Sequence, residues 1–240
     1  ENKRVITYGL SANADIRATN ISYKENKMFF SLNISNIKGH NYKNYEIEFS
    51  MIGLHNIQNA LASIAVGIEL DIPITKIKKT LKTFTGIQRR FQKVWNFNNI
   101  CIIDDYGHHP VEISAALAAA RLITPKHKII SVFQPHRYSR LRDLFNDFCS
   151  CFNDADHVLL LDVFSAGEEP ITNFESTNLE VGLSNYGHKN VLYIKDQKAL
   201  MRILLKLAKP KDLIICLGAG SITKIANKLE DNLYYECKSI

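Results

Sequence analysis

Two short segments concentrate the groups that chemistry uses. Asp104-Asp105-Tyr106-Gly107-His108-His109-Pro110 brings together carboxylates, a phenol and imidazoles, and Phe133-Gln134-Pro135-His136-Arg137-Tyr138-Ser139-Arg140 sets another imidazole beside two guanidinium groups. Arg137 and Arg140 are spaced to share one face of a helix. Cations at a helix start oppose the helix dipole, so the pair is expected to serve a ligand. Paired guanidinium groups grip a carboxylate or phosphate through bidentate hydrogen bonds. Asp104 reads equally well as a helix-capping acid or a ligand group, whereas the placement of Asp105 and His108 favours a ligand.

Three further segments carry weaker signals. In His55-Asn56-Ile57-Gln58-Asn59 the two asparagines are either helix caps or side-chain amides that hold a base or ribose. Gln88-Arg89-Arg90-Phe91 lies where the pattern of the chain changes, and an arginine on such a linker can reach a ligand between domains. Gly218-Ala219-Gly220-Ser221-Ile222 is dinucleotide-like but lacks the third glycine. It reads as a close strand-to-helix turn whose amides face an anion. No G-x-x-x-x-G-K-[ST] loop occurs. His108, His109 and His136 lack the spacing of a closed metal site, so no metal ligand is assigned.

The surrounding elements place these segments. Residues 4–8, 16–23, 27–37 and 45–50 are short, rich in Ile, Phe, Tyr and Thr, and separated by turn residues. With no helix between them, an antiparallel arrangement is expected. Apolar residues at helical spacing follow over 55–70 and 73–84. A boundary falls near Gly86, giving domains at 1–87 and 88–240, and 89–95 reads as a strand. Compact apolar strands at 100–104, 128–133, 157–163, 190–194 and 213–217 then alternate with helical segments at 111–122, 138–152, 178–186, 197–208 and 222–234. Such alternation predicts an α/β fold with a doubly wound, mostly parallel, Rossmann-like sheet. Ligands on these sheets sit beyond the carboxyl ends of the strands, where both chemistry-rich segments fall.

With 46% hydrophobic residues the chain can bury a sizeable core. The net charge of +6 comes from scattered basic residues, not the clustered basic face of a nucleic-acid binder. No membrane span or signal peptide is evident. The cysteines (Cys101, Cys149, Cys151, Cys216 and Cys237) are odd in number and irregularly spaced. They read as reduced thiols of a cytoplasmic protein, with Cys101 and Cys216 in the core and Cys149 and Cys151 on different helix faces. The first residue, Glu1, suggests a start inside a longer protein.

Taken together, Asp-Asp-Tyr-Gly-His-His-Pro and Phe-Gln-Pro-His-Arg-Tyr-Ser-Arg, with His-Asn-x-x-Asn, Arg-Arg-Phe and Gly-x-Gly-Ser-Ile in order, resemble the Mur ligase family across essentially the whole chain. They look most like its alanine-adding branch. The related muropeptide-recycling branch shares the Asp-Asp-x-x-His-His-Pro segment and is the first alternative. The resemblance implies the end of a central ATPase domain over 1–87 and a complete third domain over 88–240. It implies ATP-dependent ligation of L-alanine to UDP-N-acetylmuramate through an acyl phosphate. The phosphate loop and the Mg2+ ligands are expected upstream, so this half is expected to be inactive alone and to need the other half as its partner. By resemblance Asn59, with Asn56, contacts adenine, Arg90 reaches the ATP phosphates and Asp105 the ribose. Arg137 and Arg140 take the alanine carboxylate, and Tyr106, His108 and His136 shape that pocket. Arg90 and His108 are the expected catalytic groups. Two further readings compete: a nicotinamide-dependent oxidoreductase, from the Gly-Ala-Gly turn, and a nucleic-acid-binding domain, from the charge.

Overall fold

The computed structural model describes residues 4–97 and 99–237. The chain divides into two compact units, Glu1–Gly86 and Ile87–Ile240.

In the first unit, β1 (Tyr8–Gly9), β2 (Ile16–Lys24), β3 (Lys27–Ile37) and β4 (His40–Phe49) form a sheet in that order. Two-residue turns close both hairpins. Glu25 and Asn26, and then Lys38 and Gly39, have positive φ, the backbone twist that matches the twist of the paired strands. The antiparallel expectation holds for β2–β4, but β1 pairs parallel with β2. The expected strand at 4–8 shrinks to a two-residue edge. Ahead of it, the Asp15 carboxylate accepts both the N–H and the O–H of Thr7, each at 2.7 Å. Conversely, β4 starts earlier than its apolar residues suggest, because the turn at 38–39 fixes its register. Helices α1 (Leu54–Glu69) and α2 (Ile74–Thr83) bury Ile57, Leu61, Ile64 and Ile68, and Ile77 and Leu81, in one core with Met28, Phe30, Leu32, Ile34 and Ile47.

The second unit holds β5 (Gln92–Phe97), β6 (Ile100–Asp105), α3 (Pro110–Ile123), β7 (Ile129–Phe133), α4 (Tyr138–Asp143), α5 (Phe145–Ser150), β8 (His157–Leu160), α6 (Ser176–Asn185), β9 (Val191–Tyr193), α7 (Gln197–Leu207), β10 (Leu213–Leu217) and α8 (Ile222–Cys237). The sheet order is β5-β6-β10-β7-β8-β9. It is parallel from β6 to β9, with β5 antiparallel on the edge. The single helix expected over 138–152 breaks at Leu144 into α4 and α5. Alternate strand residues serve opposite faces. Ile103, Ile129, Phe133 and Ile215 pack under α3, α5 and α6, whereas Ile102, Ile130, Val132 and Ile214 pack under α7 and α8. Covering both faces is what makes the strands apolar throughout. Cys216 is fully buried, and Cys149 and Cys151 share one core rather than opposite faces, because the chain leaves α5 between them. The four cysteines whose side chains are described are free thiols; the Cys237 side chain lies outside the described residues.

One consequence positions the site. The last strand in sequence, β10, is the central one in space. Asp105, Leu217, Phe133, Leu160 and Tyr193 stand side by side across the sheet. Chain segments 106–109, 218–221, 134–140 and 161–168 therefore emerge along one rim. Here the chain order switches direction, which is where an open parallel sheet forms its ligand crevice.

Candidate functional site

The rim is assembled by Asp105. Burial pushes its carboxyl above the ordinary range, against the pull of two backbone amides and the charge of Arg90. Phe91 N–H and Gly107 N–H each donate to it at 2.7 Å. Gly107 has no room for a side chain, since a Cβ there would stand 2.8 Å from that same carboxylate. Asp105 is only 4% exposed. Each oxygen thus accepts one backbone N–H, which ties the 89–91 segment to the strand end. Asp104 is likewise an anchor, accepting from the Thr223 hydroxyl of α8 at 2.7 Å.

The two adjacent arginines differ. Arg89 turns inward, donating to the carbonyls of Gly218 at 2.6 Å and Gly220 at 3.4 Å, with its Nε 3.8 Å from Asp104. Arg90 stays exposed, 3.6 Å from Glu112. Both lie over the Tyr106 ring, at 4.7 and 5.6 Å, a cation–π contact that fixes the ring. Arg90 thus remains available to an anionic ligand, while Arg89 clasps the glycine turn.

That turn is close-packed. A Cβ on Gly218, whose φ is +147°, would meet the Gln134 carbonyl at 2.8 Å, and one on Gly220 would meet Phe164 at 2.6 Å. Gln134 Oε1 accepts the Ile222 N–H at 3.1 Å and so caps the start of α8, and the Gly218 N–H donates to the Asp105 carbonyl at 3.1 Å. The close-turn reading fits, but two of the amides expected to face an anion are spent inside the protein.

Helix α3 starts on a capping box. His109 accepts from Val111 N–H at 3.4 Å, and Glu112 accepts from His108 and His109 N–H at 3.1 and 3.2 Å. His109 is thereby a helix cap. Burial alone would raise the Glu112 carboxyl, but those amides, with the charges of His108 and Arg90, hold it below its usual range. His108 Nδ1 lies 2.9 Å from the Tyr106 carbonyl and 3.4 Å from Glu112.

Across the rim, His136 stacks on Phe164 with ring centroids 5.3 Å apart and lies 5.8 Å from the His108 ring. Arg140 donates to the His136 carbonyl at 3.0 Å and meets its Nδ1 at 3.3 Å. Burial, then the Arg140 charge, lowers the His136 pKa. Arg137 takes the left-handed φ of +73° and leaves its guanidinium half exposed, 3.9 Å from Glu168. Glu168 also accepts from the Ser139 N–H at 3.0 Å and hydroxyl at 2.6 Å. It so ties α4 to the loop after β8.

Tyr106, His108, His136, Arg137 and Arg140 thus converge with Arg90 in one unit. Sequence reasoning assigned no role to Arg89, Glu112, Gln134, Phe164 or Glu168, although Arg89 and Gln134 lie in the segments it singled out and Glu112 is the acid two residues after Pro110. In the first unit Asn59 is exposed at the start of α1. Asn56 is only 3% exposed and donates to the Ile52 carbonyl at 2.8 Å. Among the described residues no three potential ligands converge on a metal site, and no helix is long and apolar enough to cross a membrane.

A parallel sheet with a charged rim at its switch point defines an α/β domain with a ligand crevice beyond its strand ends. The family match narrows this. Residues 89–220 match the Mur ligase glutamate ligase domain and residues 1–67 the Mur ligase middle domain. The chain belongs to the Mur ligase family. It is 44% identical to the UDP-N-acetylmuramate–L-alanine ligase of Rhodospirillum centenum over 232 residues, 96% of this chain and 48% of that protein. It is 46% identical to the ligase of the same name from Parvibaculum lavamentivorans, covering 96% and 47%. The crystal structure of the Thermotoga maritima UDP-N-acetylmuramate–alanine ligase superposes with a TM-score of 0.77 at 23% identity, over 96% of this chain and 48% of that one. MurF ligase from Thermotoga maritima in complex with ADP gives 0.71 at 14% identity, over 96% and 49%. These two superpositions establish the fold. The chain spans about half the length of the curated relatives it matches.

Proposed function

We propose that these residues form the carboxyl-terminal half of an ATP-dependent ligase that joins L-alanine to UDP-N-acetylmuramate. The observation that carries this reading is the Arg137–Arg140 pair beside His136 and His108 on the sheet rim. The pair offers guanidinium donors to a carboxylate, and the histidines offer polar groups for a nearby amine. The substrate such a pocket fits is a small free amino acid. Identity of 44–46% to ligases named for this reaction supports the same substrates.

In this reading the sugar's lactyl carboxylate is first activated by ATP as an acyl phosphate, and the amine of L-alanine then displaces phosphate. The protein contributes position and charge. Arg137 and Arg140 fix the amino acid through its carboxylate. Arg90, exposed and braced against Tyr106 and Glu112, neutralises phosphate oxygens. Asn59 contacts adenine through its side-chain amide. Arg89 and Glu112 hold the rim in shape, and Asp105, which braces the 89–91 segment, has acceptor capacity left for a ribose hydroxyl. The described residues present no fitting set of magnesium ligands, so no step through the metal is assigned to them. An enzyme that consumes ATP and a nucleotide sugar works in the cytoplasm, where both are made.

The test is product analysis with the full-length ligase carrying these residues. Given ATP and UDP-N-acetylmuramate, it is expected to couple L-alanine. Coupling of the L-Ala-γ-D-Glu-diaminopimelate tripeptide instead would move the protein to the muropeptide-recycling branch. A second expectation concerns nucleotide. Asn59→Ala should raise the KM for ATP severalfold while leaving that for L-alanine unchanged, because one hydrogen bond is worth about 0.5–1.5 kcal/mol. An unaltered KM for ATP removes Asn59 from the nucleotide site.

A further inference from the structure

We propose that the two rim histidines are held in opposite tautomers. His108 Nε2 removes a proton from the ammonium of the amino-acid substrate, and His136 Nε2–H binds its carboxylate. This rests on the amino-acid reading above and assigns each imidazole a separate task within it.

The tautomers follow from the partners. His108 Nδ1 faces the Tyr106 carbonyl at 2.9 Å and the Glu112 carboxylate at 3.4 Å. Both can only accept, so Nδ1 carries the hydrogen, and in the neutral ring Nε2 holds the lone pair. His136 Nδ1 faces the Arg140 guanidinium at 3.3 Å. A guanidinium only donates, so Nδ1 is the acceptor there and Nε2 bears the hydrogen. Among the described residues neither Nε2 makes a hydrogen bond, and the rings are 5.8 Å apart. The two neighbouring rings thus offer one acceptor and one donor. An α-amino acid carries its ammonium and its carboxylate on one carbon and matches that polarity.

The charges agree with the division. Facing His108 are Glu112 on its own helix, Arg90, Tyr106 and His136, with Arg137, Arg140 and Glu168 beyond. Glu112 stands where it offsets the charge of a protonated His108. His136 has Arg140 against it, and burial and that charge keep it neutral. Its stacking on Phe164 at a 17° interplanar angle fixes where its N–H points.

The step balances as follows. An ammonium N–H bond breaks and its proton passes to His108 Nε2. The freed nitrogen lone pair forms the C–N bond to the acyl carbon of the acyl phosphate. The C–O bond breaks, and inorganic phosphate leaves with its electron pair. The newly bonded nitrogen still carries one hydrogen too many, and that second proton passes to the departing phosphate as the amide forms, while His108 returns the first proton to water.

The test compares two nucleophiles in the full-length ligase. Hydroxylamine is already unprotonated near neutral pH and traps acyl phosphates as hydroxamates without needing a base. His108→Gln should lower L-alanine coupling by about 100-fold or more, the usual scale of general-base catalysis, and hydroxamate formation less than threefold. It should also abolish the acid limb of the rate of L-alanine coupling. His108→Asn should show the same split and serves if the glutamine variant does not fold. His136→Ala should raise the KM for L-alanine while keeping the acid limb. Equal losses with both nucleophiles in both His108 variants, or an acid limb that vanishes with His136 instead, would overturn the proposal. A wild-type enzyme that makes hydroxamate but couples no amino acid would overturn the amino-acid reading and the proposal with it.

Discussion

Replacing Arg137 by alanine is expected to lower kcat/KM for L-alanine by about 30-fold or more while leaving UDP-N-acetylmuramate binding intact. Arg137 projects from a left-handed residue at the start of α4, half exposed, with Glu168 3.9 Å away as its charged neighbour. At that distance and exposure the ion pair contributes little, so the guanidinium is not committed to the fold. Its placement against the dipole of α4 costs stability, and a carboxylate ligand offsets that cost when it binds. Removing one member of a desolvated charge pair typically costs about 2–5 kcal/mol, and each 1.4 kcal/mol is tenfold in rate. Steady-state kinetics on the full-length enzyme decide the matter. Normal use of L-alanine with lost binding of the UDP sugar would assign the arginine to the other substrate.

The second large effect is on stability. Gly218→Ala should destabilise the second unit by about 2–4 kcal/mol, combining overpacking with backbone strain. The added methyl would lie 2.8 Å from a backbone oxygen, that of Gln134, on a residue with φ +147°. Backbone oxygens at the centre of a sheet do not swing aside as a side chain does. For a unit of this size the melting temperature should fall by roughly 5–10 °C, as calorimetry would register. Because Arg89, Gln134 and Asp105 all bond to this turn or beside it, the loss should extend to the order of the rim. A melting temperature within a degree of wild type would show that the turn is looser than its packing implies.

How far the sequence could be read depended on the kind of interaction. The strand–helix alternation of the second unit was legible because both sheet faces are covered, which makes each strand a compact apolar run. The edge strands were legible only in part. Residues 4–7 are rich in strand formers, yet Asp15 captures Thr7 and strand pairing begins at Tyr8. The central place of β10 was not legible, since periodicity says nothing of spatial order. That order is what sets the glycine turn between Asp105 and Gln134.

For the site, the clustering of His108, His136, Arg137 and Arg140 was visible because their segments follow strands. The division of labour within pairs was not. Arg89 and Arg90 are neighbours in sequence with opposite directions in space, and nothing in their types foretold which one would face in. Asp105 and Asn56 have side chains suited to a ligand, and the backbone bonds each also makes, at 2.7–2.8 Å, could not be read from the sequence. Supporting residues such as Glu168 and Phe164 come from a loop without a motif. They reach the site only because β8 lies next to β7.

The measurement that bears most directly on the central claim is phosphate release with ATP, UDP-N-acetylmuramate and L-alanine. It should be made first on the purified 240-residue chain, and then on the chain joined to the amino-terminal half of the 44%-identical Rhodospirillum centenum ligase. On the proposed reading the chain supplies the amino-acid end of the reaction, and its sequence holds no G-x-x-x-x-G-K-[ST] loop, so the chain alone should release nothing and the joined protein should turn over only when L-alanine is present. Substrate-dependent turnover by the chain alone, or turnover of the joined protein that ignores L-alanine, would contradict the account.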